Sequence, residues 1–204
     1  MKLYALYSPS HERLLREWFL PSLKDDFELV IREIPQWVPE GRWGEDGWMK
    51  AMRAKVELIL EACAQSDRQP FVHSDVDVQF FRPVKGAIEE ALRDHDIVFQ
   101  RDDPRGMVCC GFFAAYPGPA VAALFRRVLA ALTTSSKLHD QELVNRLLIE
   151  FSWTAFVLRH SWLVGLPTFG FFPKLRNEFG VRWKYLPACF QSGGTLTGRH
   201  WRPG

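Results

Sequence analysis

The chain has 204 residues, 47% hydrophobic and 25% charged, proportions of an ordinary globular domain that exclude disorder and fibrous repeats. Its 26 Lys and Arg against 24 Asp and Glu leave a formal charge of +2. Neither a broad phosphate-binding face nor a polyanion mimic is therefore written into the bulk composition, and nucleic acid is not expected as a partner.

Leu3 to Tyr7 reads as a buried first strand. Ser10 then caps a helix whose Leu14, Leu15, Trp18 and Phe19 share one stripe before Pro21 ends it. Phe27 to Ile34 alternates as a second strand, and Pro35 to Gly47, rich in Pro, Gly and Trp, is a loop of the kind that covers a site. Trp48 to Ala64 is a helix in which Met49, Met52, Val56, Ile59 and Cys63 step by three or four. After a turn over Asp67–Pro70, a third strand is expected from Phe71 to Phe81, a short helix from Lys85 to Arg93 and a fourth strand from Asp96 to Gln100. Val108 to Tyr116 is a strand-like apolar run with Gly111 at its centre. A helix follows from Pro119 to Leu132, and another begins at Asp140, carrying Leu143, Val144, Leu147, Leu148 and Phe151. From Trp153 onward no clear period is visible. The final residues, Gly198 to Gly204, close no recognisable element, which points to a chain cut short of its natural end.

This alternation predicts one α/β domain over residues 1–204, with a mostly parallel sheet covered on both faces and ligands collecting at the carboxyl ends of the strands. Eight Trp and 16 Phe can build its core, at about 1.5–3 kcal/mol for each large side chain fully buried. Cys63, Cys109, Cys110 and Cys189 form no CxxC pair, and adjacent Cys109 and Cys110 could bridge only through a strained ring, so a reduced, cytoplasmic protein is expected. The N-terminus is too briefly apolar for a signal sequence, and no segment approaches the roughly 20 apolar residues of a membrane span. No GxGxxG follows the first strand and no GxxxxGK[ST] occurs, so phosphates are not held in a glycine cradle.

The sharpest chemical signal is Ser74-Asp75-Val76-Asp77-Val78. In an extended strand, carboxylates two residues apart lie roughly 6.5–7 Å apart along the chain on one face. Buried carboxylates demand compensation, either from an arginine or turn or from a hard cation such as Mg²⁺ or Mn²⁺. Lys55 falls on the apolar side of its helix, between Trp48 and Ile59, while Lys50, Glu57 and Glu61 lie opposite Met52. Its ammonium either snorkels past its neighbours or reaches an anion at the strand ends. Asp140 suits a helix N-cap. Gln141 and Asn145, one turn apart, sit beside Val144 and Leu148 and are candidates to line a pocket. Cys110-Gly111 is either core packing or a place where a ligand approaches the backbone. As isolated histidines, His73 and His200 read most simply as structural.

In this order, Lys55, Ser74 to Val78 with Phe81 and Pro83, Cys110-Gly111-Phe112, and Asp140-Gln141 with Asn145 resemble the GT-A glycosyltransferases of the nucleotide-diphospho-sugar transferase group over roughly residues 1–150. The resemblance implies a nucleotide-diphosphate sugar donor, favouring a UDP-sugar, with Mn²⁺ or Mg²⁺, and transfer to a glycan, lipid or small-molecule acceptor, a retaining course being among those it allows. It implies that residues 1–115 form the donor half and 116–204 the acceptor-side half. On the matched positions, Asp75 and Asp77 hold the metal, Asp140 and Gln141 stand beside the anomeric carbon as catalytic residues, and Tyr7, Ser8, Lys55, Ser74, Asp75, Cys110, Gly111 and Asn145 contact the donor. The family usually adds a metal-binding His near a C-terminal Trp. His200, before Trp201, is the local candidate, or else it precedes a missing segment with the true ligand. Two other readings stand beside this one: a transferase fold that binds nucleotide sugar without turnover, and a phosphohydrolase with the first Asp as nucleophile.

Overall fold

In the computed structural model the described residues are 1–38, 47–65, 67–102, 106–134, 138–151, 171–173 and 177–190. In chain order they form β1 (Lys2–Tyr7), a 3-10 turn (Pro9–His11), a π-helical stretch (Leu14–Phe19), α1 (Leu20–Ser22), β2 (Glu28–Glu33) and α2 (Trp48–Cys63). Then come β3 (Phe71–Ser74), α3 (Lys85–Leu92), β4 (Ile97–Arg101), β5 (Val108–Ala115), α4 (Pro119–Thr133), α5 (Asp140–Leu148), β6 (Ile149–Phe151), β7 (Phe171–Pro173) and β8 (Trp183–Tyr185). Six strands make one sheet in the order β2-β1-β3-β5-β4-β8, while β6 and β7 pair separately. β1 runs parallel to β2 and β3, and β4 parallel to β8; β5 is antiparallel to both its neighbours. The sheet is thus mixed and mostly parallel.

Period-2 alternation divides the sheet into two buried faces. Tyr4, Phe71, Phe99 and Phe113 point to the side covered by α2, α4 and α5. Leu3, Ala5, Val72, Val98, Phe112 and Ala114 point to the side covered by Leu15, Phe19 and α3. Phe113 anchors the first face: its ring stacks on Phe125 at 5.4 Å and meets Phe71 edge-on at 6.4 Å. Arg53 on α2 donates from Nε and a terminal nitrogen to the Leu132 carbonyl, at 3.0 and 2.7 Å. It thereby satisfies the C-terminal end of α4, where a cation is favoured. The left-handed Gly47 (φ 92°) starts α2; a Cβ there would lie 2.2 Å from the Trp37 carbonyl oxygen, so only glycine fits.

Three elements differ from the sequence reading. The first helix is π-helical where its Leu20 N–H reaches Leu15 O, and it ends at Ser22, past Pro21. This widened ladder breaks the single stripe: Leu15 and Phe19 are buried, whereas Trp18 is 41% exposed. β3 stops at Ser74 rather than Phe81, because the Asp75 N–H makes its bond to Gly111 O (2.7 Å) and the chain then turns, Val78 N–H donating to Asp75 O. Residues beyond are held from outside the sheet, with Ser22 Oγ accepting from Phe80 N and Asp25 Oδ2 accepting from Val84 N at the start of α3. The last described helix ends at Leu148, and Phe151 belongs to β6. Trp153, Gly198 to Gly204 and most of the Pro35–Gly47 loop lie outside the described residues. Among the described residues, no helix is long and apolar enough to cross a membrane.

Phe113→Ala should destabilise the protein by about 3–5 kcal/mol, read as a lower urea midpoint with an unchanged slope.

Candidate active site

Where β3 ends, Asp75-Val76-Asp77 turns out of the sheet, and α2, β5 and α5 converge on that turn. The antiparallel β4–β5 pair opens the space. Its register jumps between Phe99, opposite Phe113, and Gln100, opposite Cys109, so Cys110-Gly111-Phe112 leave the β4 ladder. Irregularities of this kind re-aim backbone and side chains beside active sites. Gly111 thus offers its carbonyl to Asp75, and its missing side chain matters: a Cβ would lie 3.0 Å from Asp75 Oδ2 and 3.4 Å from Cys109 Sγ.

Lys55 is only 4% exposed. Its Nζ lies 3.1 Å from Asp75 Oδ2 and 3.2 Å from Asp140 Oδ2, so it reaches anions rather than snorkelling to water. The Asp75 contact is a hydrogen bond. The Asp140 contact is an ion pair off the hydrogen-bond axis, leaving Oδ2 without a hydrogen bond. Burial opposes the charge on Lys55, but Asp140 and Asp75 outweigh it and raise the pKa. Burial likewise opposes ionisation of Asp140 and Asp75, and in each the Lys55 ammonium prevails and lowers the pKa. Asp77 behaves differently: it is exposed at the turn, yet partial desolvation in the cleft and then the neighbouring Asp75 charge raise its pKa, and it makes no ion pair among the described residues. Among the described residues, no arginine pairs with these carboxylates.

These groups line a cleft of about 1490 Å³, together with Trp18, Trp48, Phe81, Gln100, Cys110, Gly111 and Gln141. A smaller hollow of about 150 Å³ at the end of β1 is lined by Tyr7, Ser8, His11, Trp37 and Trp48 and shares Lys55, Asp75 and Asp77. Tyr7 donates to Glu33 Oε2 (3.0 Å), and Ser8 Oγ lies 3.1 Å from His11 Nδ1. Ser74 is buried, its hydroxyl donating to Asp75 O. At the N-cap of α5 the structure has His139 rather than Asp140, which is the first helical residue; Glu142 Oε2 accepts from the His139 N–H.

The two α5 amides are occupied. Gln141 lines the cleft, accepting from Cys110 N (3.1 Å) and donating to Asp102 Oδ2 (3.1 Å). Asn145 turns beneath it and grips the start of β5, accepting from Val108 N (2.9 Å) and donating to Val108 O (3.0 Å). Asn145 therefore joins α5 to β5 and does not line the cleft. His200 lies outside the described residues. No group of three His, Cys, Asp or Glu side chains among the described residues is arranged to hold a metal ion.

Residues 24–202 match the model of the nucleotide-diphospho-sugar transferase family. The chain belongs to that family. It is accordingly a glycosyltransferase that uses a nucleotide-diphospho-sugar donor. No curated protein matches the sequence. Among solved structures, the transferase is similar to a glycosyltransferase involved in glycosylation of the major capsid of PBCV-1, at 13% identity and a TM-score of 0.48, with 71% of this chain and 75% of that one covered. It is similar to the glycosyltransferase GlyE of Streptococcus pneumoniae TIGR4 at 14% identity and a TM-score of 0.48, covering 72% and 42%. It is also similar to the galactosyltransferase LgtC in complex with donor and acceptor sugar analogs, at 10% identity and a TM-score of 0.45, covering 71% and 69%. No residue of the site is assigned from these likenesses.

Sequence reasoning missed three features of the transferase cleft. Gln100 is a buried polar residue at the end of an apolar strand, a visible signal. Asp102 and the indole N–H of Trp48, which is buried without a hydrogen-bond partner, carry no local signal because their roles depend on the register jump and on the packing of α2.

Two variants probe this geometry. Gly111→Ala should push the Asp75 carboxylate off Lys55 and cost about 1–3 kcal/mol of overpacking, seen by urea unfolding. Lys55→Met should cost about 3–5 kcal/mol at pH 7, because it strands the buried Asp140 carboxylate and unpairs the partly exposed Asp75. The folded pKa of Asp140 lies below its ordinary value of 3.8, so its contribution is present above that value and lost as pH falls below it. The Lys55 contribution is complete below 10.5. The Lys55→Met deficit should consequently narrow on acidification towards pH 4, as the stranded carboxyls take up protons; a deficit constant from pH 8 to 4 contradicts the charge assignment.

Proposed function

We propose that this transferase moves a sugar from a UDP-sugar to an acceptor, with Mn²⁺ or Mg²⁺ held by Asp75 and Asp77, and that it does so with retention at the anomeric carbon. One observation carries the reading: around Lys55 the cleft gathers three carboxylates, a formal charge of −2 from Lys55, Asp75, Asp77 and Asp140, and Arg82, also on the lining, brings the whole cleft only to −1. A diphosphate entering this wall meets like charge, and Asp77 already has its ionisation opposed. The hard oxygens of Asp75 and Asp77 suit a small divalent ion that takes its other ligands from phosphate and water. Such an ion, when bound, neutralises the charge that develops on the departing diphosphate.

The residues of the chain supply the rest. Lys55 is fixed before donor arrives, so its ammonium requires no reorganisation as the leaving group gains charge. Asp140 is kept ionised by Lys55, and its Oδ2 has no hydrogen bond to give up; it is assigned to stabilise positive charge growing at the anomeric carbon. Gln141, held by Cys110 N and Asp102, keeps the start of α5 in place. Tyr7 and Ser8 line the hollow assigned to the nucleoside.

Thermal shift with UDP tests the reading. With Mn²⁺ present, UDP at about 100 times its Kd should add about 2.7 kcal/mol of stability, and without metal the gain should vanish. Asp77→Asn and Asp75→Asn should each abolish the metal-dependent gain; unchanged UDP affinity in both overturns the metal role. Mass-spectrometric detection of sugar release from the UDP-sugar then separates turnover from binding alone.

A further inference from the structure

His73 is a buried ionisable side chain of the sheet that the reaction scheme leaves unused. It sits in the middle of β3, paired across the ladder with Tyr4 of β1 and Phe113 of β5, and it is 0% exposed. Its ring tilts over Phe113 at 5.3 Å between centroids. Nε2 lies 3.3 Å from Asp75 Oδ1, whereas Nδ1 is buried with no hydrogen-bond partner. An apolar residue would pack this position without stranding a nitrogen. The sequence alone gave His73 a structural role; the contact with Asp75 gives it a specific one.

We propose that His73 is a positioning residue for the donor site: its imidazole donates the Nε2–H to Asp75 Oδ1 and so sets the direction in which that carboxylate faces the cleft. Three observations carry this. An ionised carboxylate only accepts, so the proton of the shared contact sits on Nε2, and the unpartnered Nδ1 is the lone-pair nitrogen, the cheaper of the two to leave unbonded. The ring is wholly buried and tilts over Phe113 at 5.3 Å, so the direction of its Nε2–H is fixed by packing. Finally, Asp75 is held at three points from three directions: its N–H by Gly111 O, Oδ2 by Lys55 Nζ, and Oδ1 by His73. Lys55 alone leaves the carboxylate free to rotate about that contact; the second donor, rigid because its ring is locked between strands, removes this freedom. Removal of such an outer partner of a metal-binding carboxylate typically weakens metal affinity 10–100-fold. The consequence for donor binding rests on the proposed metal role of Asp75; the histidine–aspartate contact does not.

Two measurements test the inference separately. Imidazole ¹⁵N spectra of the metal-free protein at pH 7 should show His73 protonated on Nε2, with its signals displaced in Asp75→Asn. A ring protonated on Nδ1 alone, or one indifferent to Asp75→Asn, overturns the contact. Then His73→Phe, with Tm equal to or above wild type, should weaken Mn²⁺-dependent UDP binding roughly 10-fold or more. His73→Gln, whose amide can still donate, should recover most of it. Full affinity in His73→Phe, or a loss that follows the folded fraction and is not recovered by Gln, overturns the positioning role. If the wild type itself binds no UDP with metal, the metal reading fails, while the ¹⁵N result still decides whether His73 orients Asp75.

Discussion

The buried ammonium of Lys55 between Asp75 and Asp140 is the interaction on which the site depends. It joins three elements distant in sequence: the middle of α2, the turn after β3 and the first residue of α5. Neither the Lys55 ammonium nor the Asp140 carboxylate is tolerable alone in that position, since an isolated buried charge costs several kcal/mol; Asp75, partly exposed, is the member that faces the cleft. Together they are mutually compensated, yet one negative charge remains within the trio and Asp77 adds another. The arrangement is a scaffold that holds acidic groups at a cleft and stays incomplete in charge.

The sheet explains how acidic groups come to lie there. β1 and β3 are parallel and end at the same edge, so the residues that follow them, Tyr7-Ser8 and Asp75 to Asp77, share one rim. β5 runs the opposite way between β3 and β4, and its departure from the β4 ladder at Cys110 to Phe112 clears room over Gly111. Antiparallel insertion into an otherwise parallel sheet thereby creates the cleft. The two amides of α5 hold this geometry from below, Gln141 on Cys110 N and Asn145 on both backbone groups of Val108.

Much of the architecture was legible in the chain. The spacing of Met52, Val56 and Ile59 placed α2 to within a residue and put Lys55 on its apolar side, where snorkelling and an anionic partner stood as alternatives. The pair Asp75 and Asp77 stood out because carboxylates in an apolar run need a partner. Legibility faded where tertiary contacts override local pattern. The apolar alternation of Val76, Val78 and Phe80 suggests a strand, but the Asp75 N–H finds its acceptor in Gly111 and the turn follows. Leu14, Leu15, Trp18 and Phe19 look like one stripe until a π-helical ladder sends two into the core and two towards the cleft. Gln141 and Asn145 were equivalent on a helical wheel, and only the position of β5 separates a cleft-lining amide from a buried clamp.

The amino-acid sequence by itself determined the alternation of strands and helices, the two apolar faces of the sheet, and the residue types able to hold a diphosphate and its counter-charge, because periodicity and side-chain chemistry are local properties. Tertiary structure alone decided that Lys55 bridges two carboxylates, that His73 lies under Asp75, that β5 is antiparallel and that Asn145 is structural. Most of those outcomes join residues far apart in the chain, Lys55 with Asp75 and Asp140 and Val108 with Asn145; they are set by how strands pair and how helices pack on them, and no local pattern encodes them.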